Sequence, residues 1–161
     1  MFRAEDQRAV LARTLVRNDV ALLAPKLRDV AVDATDFLNQ SGYDAVIYET
    51  LRSRQLAELY YELGVSKAKN ELYSYHGYGL AFDVISKSRG WDVWEDPDWY
   101  EPVVATYKAH GLRWGGDWKS FPDRPHMQWH CDGMHESPSE NARALLASGG
   151  LAAVWADVHA D

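Results

Sequence analysis

The stretch SYHGYGLAFDV, residues 74–84, combines an apolar strand pattern with two polar side chains that a strand core does not need. The alternation of bulky and other residues over 79–86 predicts a β-strand with Asp83 on the same face as the small Ala81. His76 lies just before this strand, between glycines that allow the backbone to fold closely over a site. We therefore expect the turn to bring the imidazole of His76 toward the carboxylate of Asp83.

Spacing alone leaves two interpretations of this pair open. A hydrogen bond between His76 and Asp83 could simply stabilise the turn, which is the more common arrangement. Alternatively, an imidazole and a carboxylate beside free space provide two ligands of a catalytic zinc site, which has three protein ligands and one open position. The second interpretation requires a third ligand from another part of the chain.

The candidates for a third ligand are the other histidines and the single cysteine: His110, His126, His130, His135, His159 and Cys131. His110 lies at the end of a predicted helix, where a cation suits the helix dipole, and His159 lies close to the C-terminus. His126 follows a proline turn at the start of a predicted strand. His126 and His130 would stand roughly 13 Å apart on that strand, so only one of them can bind the same metal. Cys131 faces the other side and is interpreted as a buried thiol.

Asp123 lies three positions before His126 and is the candidate general base. A metal hydrolase needs a carboxylate that takes a proton from the attacking water and passes it to the leaving amine. An aspartate between two prolines is also ordinary turn chemistry, so this role is not decided by the local sequence.

The rest of the chain predicts an α+β fold, a small antiparallel sheet flanked by helices. Apolar spacing predicts helices over 3–18, 24–42 and 51–65, and a strand over 44–50. A helix capped by Asp98 is expected to end at Gly111, and another is expected to begin at Ser137 or Ser139. Short strands are predicted over 112–118 and 126–131.

The composition is that of a globular protein of 161 residues, with 47% hydrophobic residues, 25% charged residues and a formal net charge of −7. The negative charge argues against a nucleic-acid partner. A single cysteine excludes an internal disulfide. Charged residues interrupt the N-terminal segment, which therefore predicts neither a signal peptide nor a membrane span. We expect synthesis in the cytoplasm, with action elsewhere only after release.

Four segments together resemble the zinc D,D-/L,D-peptidases of the M15 type: YETLRSRQLAELYYELG (48–64), SYHGYGLAFDV (74–84), GLRWGGDW (111–118) and FPDRPHMQW (121–129). They occur in the same order over about residues 44–130, and they resemble above all the L-alanyl-D-glutamate peptidases of phage endolysins. The resemblance implies a Hedgehog/D,D-peptidase-like zinc peptidase fold. The length of 161 residues and the absence of a linker predict a single catalytic domain over 1–161. We expect a helical segment over about 1–43, a metallopeptidase core over about 44–135 and a tail over about 136–161, and the resemblance covers only the core.

The resemblance also implies roles for individual residues. The patterns S-x-H-x-x-G-x-A-x-D and D-x-P-H imply three ligands of one zinc ion: His76, Asp83 and His126. Asp123 would be the catalytic base. Arg52 matches a family residue that polarises the scissile carbonyl or holds a substrate carboxylate, although it could also be a solvent-facing arginine at a helix start. Two further residues are candidates for substrate contacts: Gln55 and Ser74. Three tryptophans could wall the groove or fill the core: Trp91, Trp94 and Trp99.

The function implied is hydrolysis of the stem peptide of peptidoglycan, with the L-Ala–D-Glu bond favoured by the WGG segment. One alternative is D-Ala-D-Ala hydrolysis by a carboxypeptidase or dipeptidase, and another is hydrolysis of an unrelated cytoplasmic dipeptide. A non-catalytic domain that binds the cell wall or a partner is an alternative of another class, but such a domain would be free to lose Asp123. As a phage or prophage lysis protein, the chain would be a monomer that reaches the wall through a holin.

Overall fold

A computed structural model of the chain describes residues 6–129 and 137–159, which form a mixed α+β structure. The helices are α1 (Gln7–Leu15), α2 (Pro25–Gln40), α3 (Arg54–Glu62), α4 (Pro97–Ala109) and α5 (Glu140–Val158). The strands are β1 (Ala45–Glu49), β2 (Ala81–Ser86), β3 (Arg113–Trp114) and β4 (His126–Gln128). The predicted α+β class with a small antiparallel sheet is confirmed.

The four strands form one sheet in the order β1-β2-β4-β3, and each neighbouring pair is antiparallel. The predicted strand of residues 79–86 becomes β2, which pairs with β1 on one side and β4 on the other. Asp83 of β2 is the direct register partner of His126 of β4. Two polar residues that lie far apart in the sequence are therefore neighbours on the sheet.

One face of β2 packs against the helices that form the main core. Phe82 is fully buried, and its ring meets Tyr107 of α4 edge-on at a centroid distance of 5.5 Å. The hydroxyl of Tyr107 forms a hydrogen bond of 2.7 Å with Thr35 of α2, so this buried polar group has a partner. Burial of a side chain of this size stabilises the fold by roughly 1.5–3 kcal/mol. Because side chains alternate along a strand, Asp83 points to the opposite side.

Some element boundaries differ from those predicted. The cap of α4 is Asp96, not Asp98: its side chain accepts a hydrogen bond from the backbone N–H of Asp98, with Pro97 at the first helical position. Proline favours that position because it has no N–H to leave unpaired. The strand predicted over 112–118 is limited to β3, because a 3₁₀ turn follows at Gly115–Asp117.

The C-terminal helix α5 begins at the predicted serine. Ser139 accepts a hydrogen bond from the backbone N–H of Ala142, which selects Ser139 over Ser137 as the cap. Gly150 has a φ of 67° and kinks the helix within its 19 residues. Val154, beyond the kink, is buried in the main core. Among the described residues, no helix has both the length and the apolar character needed to cross a membrane.

Candidate active site

His76 lies on a 3₁₀ turn, Tyr75–Tyr78, immediately before β2. The turn packs tightly: a Cβ on Gly77 would lie 2.2 Å from the carbonyl oxygen of Glu71. Gly79 ends the turn with a φ of 65°, a left-handed conformation that glycine adopts at no steric cost. The glycines therefore fold the backbone closely at this position, as the sequence predicted.

The imidazole of His76 is held at both nitrogens. Its Nδ1 lies 2.9 Å from the carbonyl oxygen of Thr50, and its Nε2 lies 3.1 Å from Oδ1 of Asp83. A carbonyl oxygen only accepts hydrogen bonds, so Nδ1 carries a proton and donates to Thr50. In the neutral ring, Nε2 then has a free lone pair directed at Asp83.

His126 is held in the same way on the other side of Asp83. Its Nε2 donates to the side-chain oxygen of Gln128 at 2.8 Å, which leaves the lone pair on Nδ1. That Nδ1 lies 3.2 Å from Nε2 of His76 and 3.6 Å from Oδ1 of Asp83. Two imidazole lone pairs and a carboxylate oxygen therefore converge on one point.

The three converging atoms fit a metal ion. Nε2 of His76, Oδ1 of Asp83 and Nδ1 of His126 all lie within 4.8 Å of one another. All three residues are at least nine-tenths buried, so lone pairs that face each other there need a cation or a proton between them. Two histidines and a carboxylate match the three-ligand set of catalytic zinc sites. Thr50 and Gln128 provide the outer hydrogen bonds that orient ligating imidazoles.

The charges of this cluster shift the pKa values of its members. Burial by itself would raise the pKa of Asp83, but the imidazoles of His76 and His126 outweigh burial and hold that pKa far below its usual range. Burial by itself would lower the pKa of His76, yet the negative charge of Asp83 prevails and raises it. Asp83 is therefore an ionised carboxylate at neutral pH, as a metal ligand must be.

Asp123 lies beside the cluster without being one of its three converging groups. Its Oδ2 is 3.9 Å from Nδ1 of His126, and its side chain is 39% exposed to the pocket. Desolvation, followed by the negative charge of Asp83, raises the pKa of Asp123. A carboxyl group with a raised pKa, in contact with water, is suited to accept and return a proton.

The first glycine of the WGG segment packs directly against Asp123. A Cβ on Gly115 would lie 2.4 Å from the carbonyl oxygen of Asp123 and 2.9 Å from Cβ of His126. The backbone N–H of Asp123 donates to the carbonyl oxygen of Gly115 at 2.9 Å. Close approach of this kind requires glycine, which explains why the motif contributes to the site without a functional side chain.

The cluster opens into a pocket of about 470 Å³. The pocket wall is rich in aromatic side chains: Tyr48, Tyr60, Tyr73, Tyr75, Trp91, Trp118 and Phe121. Trp118 lies against the ring of His126 at a centroid distance of 4.7 Å. Of the three tryptophans considered for the groove, Trp91 lines the pocket and is 45% exposed, whereas Trp94 and Trp99 are buried in the core.

The structure brings two more of the predicted site residues to this pocket. Arg52 lines it and is 8% exposed, so the alternative of a solvent-facing arginine is wrong. Ser74 also lines it, and its hydroxyl accepts a hydrogen bond from the backbone N–H of His76 at 3.3 Å. Gln55 lies on the exposed face of α3, outside the residues that line the pocket.

The other candidate ligands are placed elsewhere or lie outside the described residues. His110 ends α4, where its Nδ1 forms a hydrogen bond with the carbonyl oxygen of Thr106, as the helix-end interpretation predicted. His159 ends α5 and lies against the ring of Trp129. The remaining three candidates fall in the part of the chain that is not described: His130, Cys131 and His135.

Three residues of the site were not predicted from the sequence. Thr50 acts through its backbone carbonyl, which leaves no trace in the choice of side chain. Gln128 could have been noticed, since a polar residue two positions after His126 shares its face of the strand. Glu49 is a buried acid three positions before Arg52, and that spacing is a signal that could have paired the two.

The comparisons with known proteins agree with this geometry. Residues 67–129 match the profile of an M15 peptidase family described as D-alanyl-D-alanine carboxypeptidase. The chain is 31% identical over 118 residues to an L-alanyl-D-glutamate peptidase of Listeria phage A118, covering 71% of this chain and 41% of the relative. It is 38% identical over 103 residues to the peptidoglycan L-alanyl-D-glutamate endopeptidase CwlK of Bacillus subtilis, covering 54% of this chain and 61% of the relative.

A solved structure extends this similarity to the fold. The L-Ala D-Glu endopeptidase ChiX of Serratia marcescens superposes with a TM-score of 0.56 at 26% sequence identity, covering 69% of this chain and 83% of the other. The chain spans between two-fifths and two-thirds of the length of the two curated relatives. The matched segment of this chain, residues 67–129, contains His76, Asp83, Asp123 and His126. In sequence, in fold and in its cluster of zinc-type ligands, the chain is similar to the M15 peptidases.

Proposed function

We propose that the chain is a zinc-dependent peptidase that hydrolyses the stem peptide of peptidoglycan at the bond between L-Ala and D-Glu. The observation that carries this proposal is the convergence of His76, Asp83 and His126 beside Asp123 in an open pocket. The choice of bond is supported by three relatives, each of which is named for L-Ala–D-Glu hydrolysis.

The ligand roles follow from the free lone pairs of the cluster. Nε2 of His76, Oδ1 of Asp83 and Nδ1 of His126 would hold the zinc ion, which when bound supplies Lewis acidity that polarises a carbonyl and makes water more acidic. Thr50 and Gln128 keep both imidazoles in the required tautomer. The buried carboxylate of Asp83 remains ionised, so the chain provides one negative charge to the ion.

The proton transfers are assigned to Asp123. Its carboxylate takes a proton from the water that attacks the carbonyl carbon, and then gives that proton to the amine released when the peptide bond breaks. Arg52, in the pocket wall, donates an N–H hydrogen bond to the carbonyl oxygen as negative charge develops on it. Ser74 and the aromatic wall of the pocket are left to contact the peptide.

A second candidate is hydrolysis of D-Ala-D-Ala by the same groups. The description of the matched family profile favours it, because that description is D-alanyl-D-alanine carboxypeptidase. Both reactions need the same zinc ligands and base, so they differ only in which part of the stem peptide occupies the pocket.

Digestion of purified peptidoglycan, followed by mass spectrometry of the released fragments, tests the proposal. We expect new fragments with N-terminal D-Glu, which appear with zinc and disappear after chelation. Release of terminal D-Ala instead would replace the proposed bond by that of the second candidate. Intact stem peptides after incubation with the zinc-loaded chain would overturn both peptidase activities and leave a binding domain.

Asp123→Asn is the variant that separates catalysis from metal binding in this experiment. We expect it to retain zinc and to lose activity by about 10²–10⁴-fold, the usual contribution of a general acid–base group. Asp117→Asn is the matched control, since Asp117 is 57% exposed and pairs with Lys108 at the surface. Full activity in Asp123→Asn would remove Asp123 from the proposed role.

We propose further that the chain acts as a monomer on the cell wall after release from the cytoplasm through a holin. The relative from a Listeria phage supports this setting. Expression in a bacterial host with and without a holin tests it, since lysis is expected only when both proteins are present. Lysis without the holin would contradict the proposed route, and sedimentation of the chain as a dimer would contradict the monomer.

A further inference from the structure

Glu49, at the end of β1, is a buried acid to which the proposed mechanism gives no role. It is 1% exposed, although a buried carboxylate is costly unless it is paired and hydrogen-bonded. Its Oε1 accepts a hydrogen bond of 2.7 Å from Nε of Arg52 and also contacts the terminal nitrogen Nη2 of that guanidinium. Its Oε2 accepts a hydrogen bond of 3.2 Å from the hydroxyl of Tyr60. Both carboxylate oxygens are therefore used.

A distortion of β1 places Glu49 in this position. The pairing of β1 with β2 shifts register between Ile47 and Glu49, so that Glu49 lies opposite Asp83. A bulge of this kind redirects side chains and is frequent next to active sites. Oε1 of Glu49 also lies 3.5 Å from Nδ1 of His76, so the carboxylate lies directly behind the ligand cluster.

Two further contacts hold Arg52 in place, one to its side chain and one to its backbone. Its guanidinium lies over the ring of Tyr60, 4.7 Å from the centroid, and its backbone N–H donates to the carbonyl oxygen of His76 at 3.0 Å. Glu49 occupies one edge of the guanidinium, and Tyr60 covers one face. Since a guanidinium has five N–H donors, donors beyond those taken by Glu49 remain for the pocket that Arg52 lines.

We propose that Glu49 is a positioning residue that fixes Arg52 as a donor to the oxygen of the scissile carbonyl. This inference rests on the proposed peptidase function. Because Glu49 neutralises the guanidinium at short range, the pair as a whole carries no net charge. A pair without net charge is better suited to stabilise the charge that develops on a neutral substrate carbonyl than to bind a free substrate carboxylate. It therefore favours one of the two roles that the sequence left open for Arg52.

A double-mutant cycle tests whether Glu49 acts through Arg52. Glu49→Gln keeps the shape of the side chain but removes its charge, and we expect kcat to fall by about 10–100-fold with KM changed less than about threefold, as for a misplaced transition-state donor. In the Arg52→Ala background, Glu49→Gln should cause no further loss of kcat. Glu58→Gln is the matched control, because Glu58 forms an exposed ion pair with Arg54 on α3. The kcat of Glu58→Gln should match that of the unmodified chain.

Additive losses in the cycle, or an unchanged kcat in Glu49→Gln, would overturn the inference while leaving the peptidase function intact. If Glu49→Gln does not fold, Tyr60→Phe removes a single hydrogen bond to the same carboxylate. We expect Tyr60→Phe to lower kcat by a few-fold in the unmodified chain and not at all in the Arg52→Ala background. Equal losses in both backgrounds would overturn the inference.

A readout that needs no substrate separates this inference from the proposed function. The Nε–H of Arg52 should give a slowly exchanging NMR resonance, assigned by its loss in Arg52→Lys, because it is buried and bonded to Glu49. We expect faster exchange in Glu49→Gln. If the chain cleaves no stem peptide but Glu49→Gln accelerates the exchange of the Arg52 Nε–H, the peptidase function is refuted while the positioning of Arg52 by Glu49 stands. Exchange that is already rapid in the unmodified chain refutes the positioning itself.

Discussion

Asp83 and His126 reach the candidate zinc site from paired strands, whereas His76 reaches it from a turn that distant parts of the chain hold in place. The strand residues are direct register partners on the sheet. The turn of His76 is held through its carbonyl by the N–H of Arg52 and through the carbonyl of Tyr78 by the indole N–H of Trp155 at 2.8 Å. The sheet half of the site, Asp83 and His126, is held by the regular hydrogen bonds of strand pairing. The turn half, His76 and its 3₁₀ turn, depends on a few individual contacts.

This difference shows where the site is vulnerable. A central strand has ladder hydrogen bonds on both sides, so Asp83 is fixed by many interactions of similar kind. The turn instead relies on a few specific contacts, including one between the N–H of Ala24 and the carbonyl oxygen of Gly79 at 2.9 Å. We therefore expect substitutions in the turn half to weaken zinc binding by displacing His76. Substitutions in the sheet half should weaken it by changing the ligands themselves or their hydrogen bonds.

The largest effect is expected for Gly77→Ala in the turn half. The added Cβ would lie 2.2 Å from the carbonyl oxygen of Glu71, so the backbone that carries His76 must move. A displacement of about 1 Å can cost about 10²-fold in rate, and we expect at least that loss together with weaker zinc binding. Gly42→Ala is the control, because a Cβ on Gly42 would meet no atom within 4 Å, although the positive φ of that residue strains any side chain there. Normal zinc affinity in Gly77→Ala would show that the backbone of this turn does not determine the position of His76.

Removal of zinc should loosen the turn half more than the sheet half. Zinc at about 100 times its Kd stabilises a folded protein by about 2.7 kcal/mol, and chelation removes that contribution. Amide hydrogen exchange should then accelerate mainly over residues 74–79, with smaller changes in β2. Equal acceleration in both segments would show that the two halves are not held differently.

In the sheet half, Gln128→Met tests the outer hydrogen bond of His126. Methionine keeps a similar volume, but its thioether is only a weak acceptor and would not replace the hydrogen bond of 2.8 Å that Nε2 of His126 donates to Gln128. Loss of such an outer partner typically costs about 10–100-fold in metal affinity. A competition titration with a chromophoric chelator measures the change, and the far-UV spectrum should remain that of the unmodified chain. Unchanged affinity would mean that Gln128 does not orient the ligand.

The smallest effect is expected for Trp155→Phe at the contact between α5 and the turn. Phenylalanine keeps most of the packing but removes the indole N–H that donates to the carbonyl oxygen of Tyr78. We expect the free energy of unfolding to fall by about 1 kcal/mol, the usual net value of one hydrogen bond. Trp91→Phe is a control at a half-exposed position, and denaturant unfolding compares the two. A larger loss in Trp91→Phe would contradict this assignment.

The same division explains how much could be predicted from the sequence. The strand of Asp83 and the strand start at His126 follow from alternation and from a proline turn, which are local signals. The motifs that carry the family resemblance imply the three ligands and Asp123 together. Their outer partners could not be predicted so easily, since Thr50 acts through its backbone and Glu49 depends on a bulge in β1.

Other differences arise where two local rules compete. Asp98 and Asp96 are both capping residues by type, and Pro97 decides between them because it occupies the first helical position. Gln55 lies next to the motif of Arg52, but the helical period turns it to the exposed face of α3. Neighbouring motif residues can therefore face opposite environments, which only the folded structure reveals.

Zinc X-ray absorption of the zinc-loaded chain shows whether both halves of the site hold one zinc ion. We predict about one zinc per chain, with a first shell of nitrogen and oxygen at about 2.0–2.2 Å that includes two imidazoles. His76→Ala and His126→Ala should each remove one imidazole from the spectrum or abolish stoichiometric binding. A sulfur ligand at about 2.3 Å, or no bound zinc after full zinc supply, would rule out a site made of His76, Asp83 and His126.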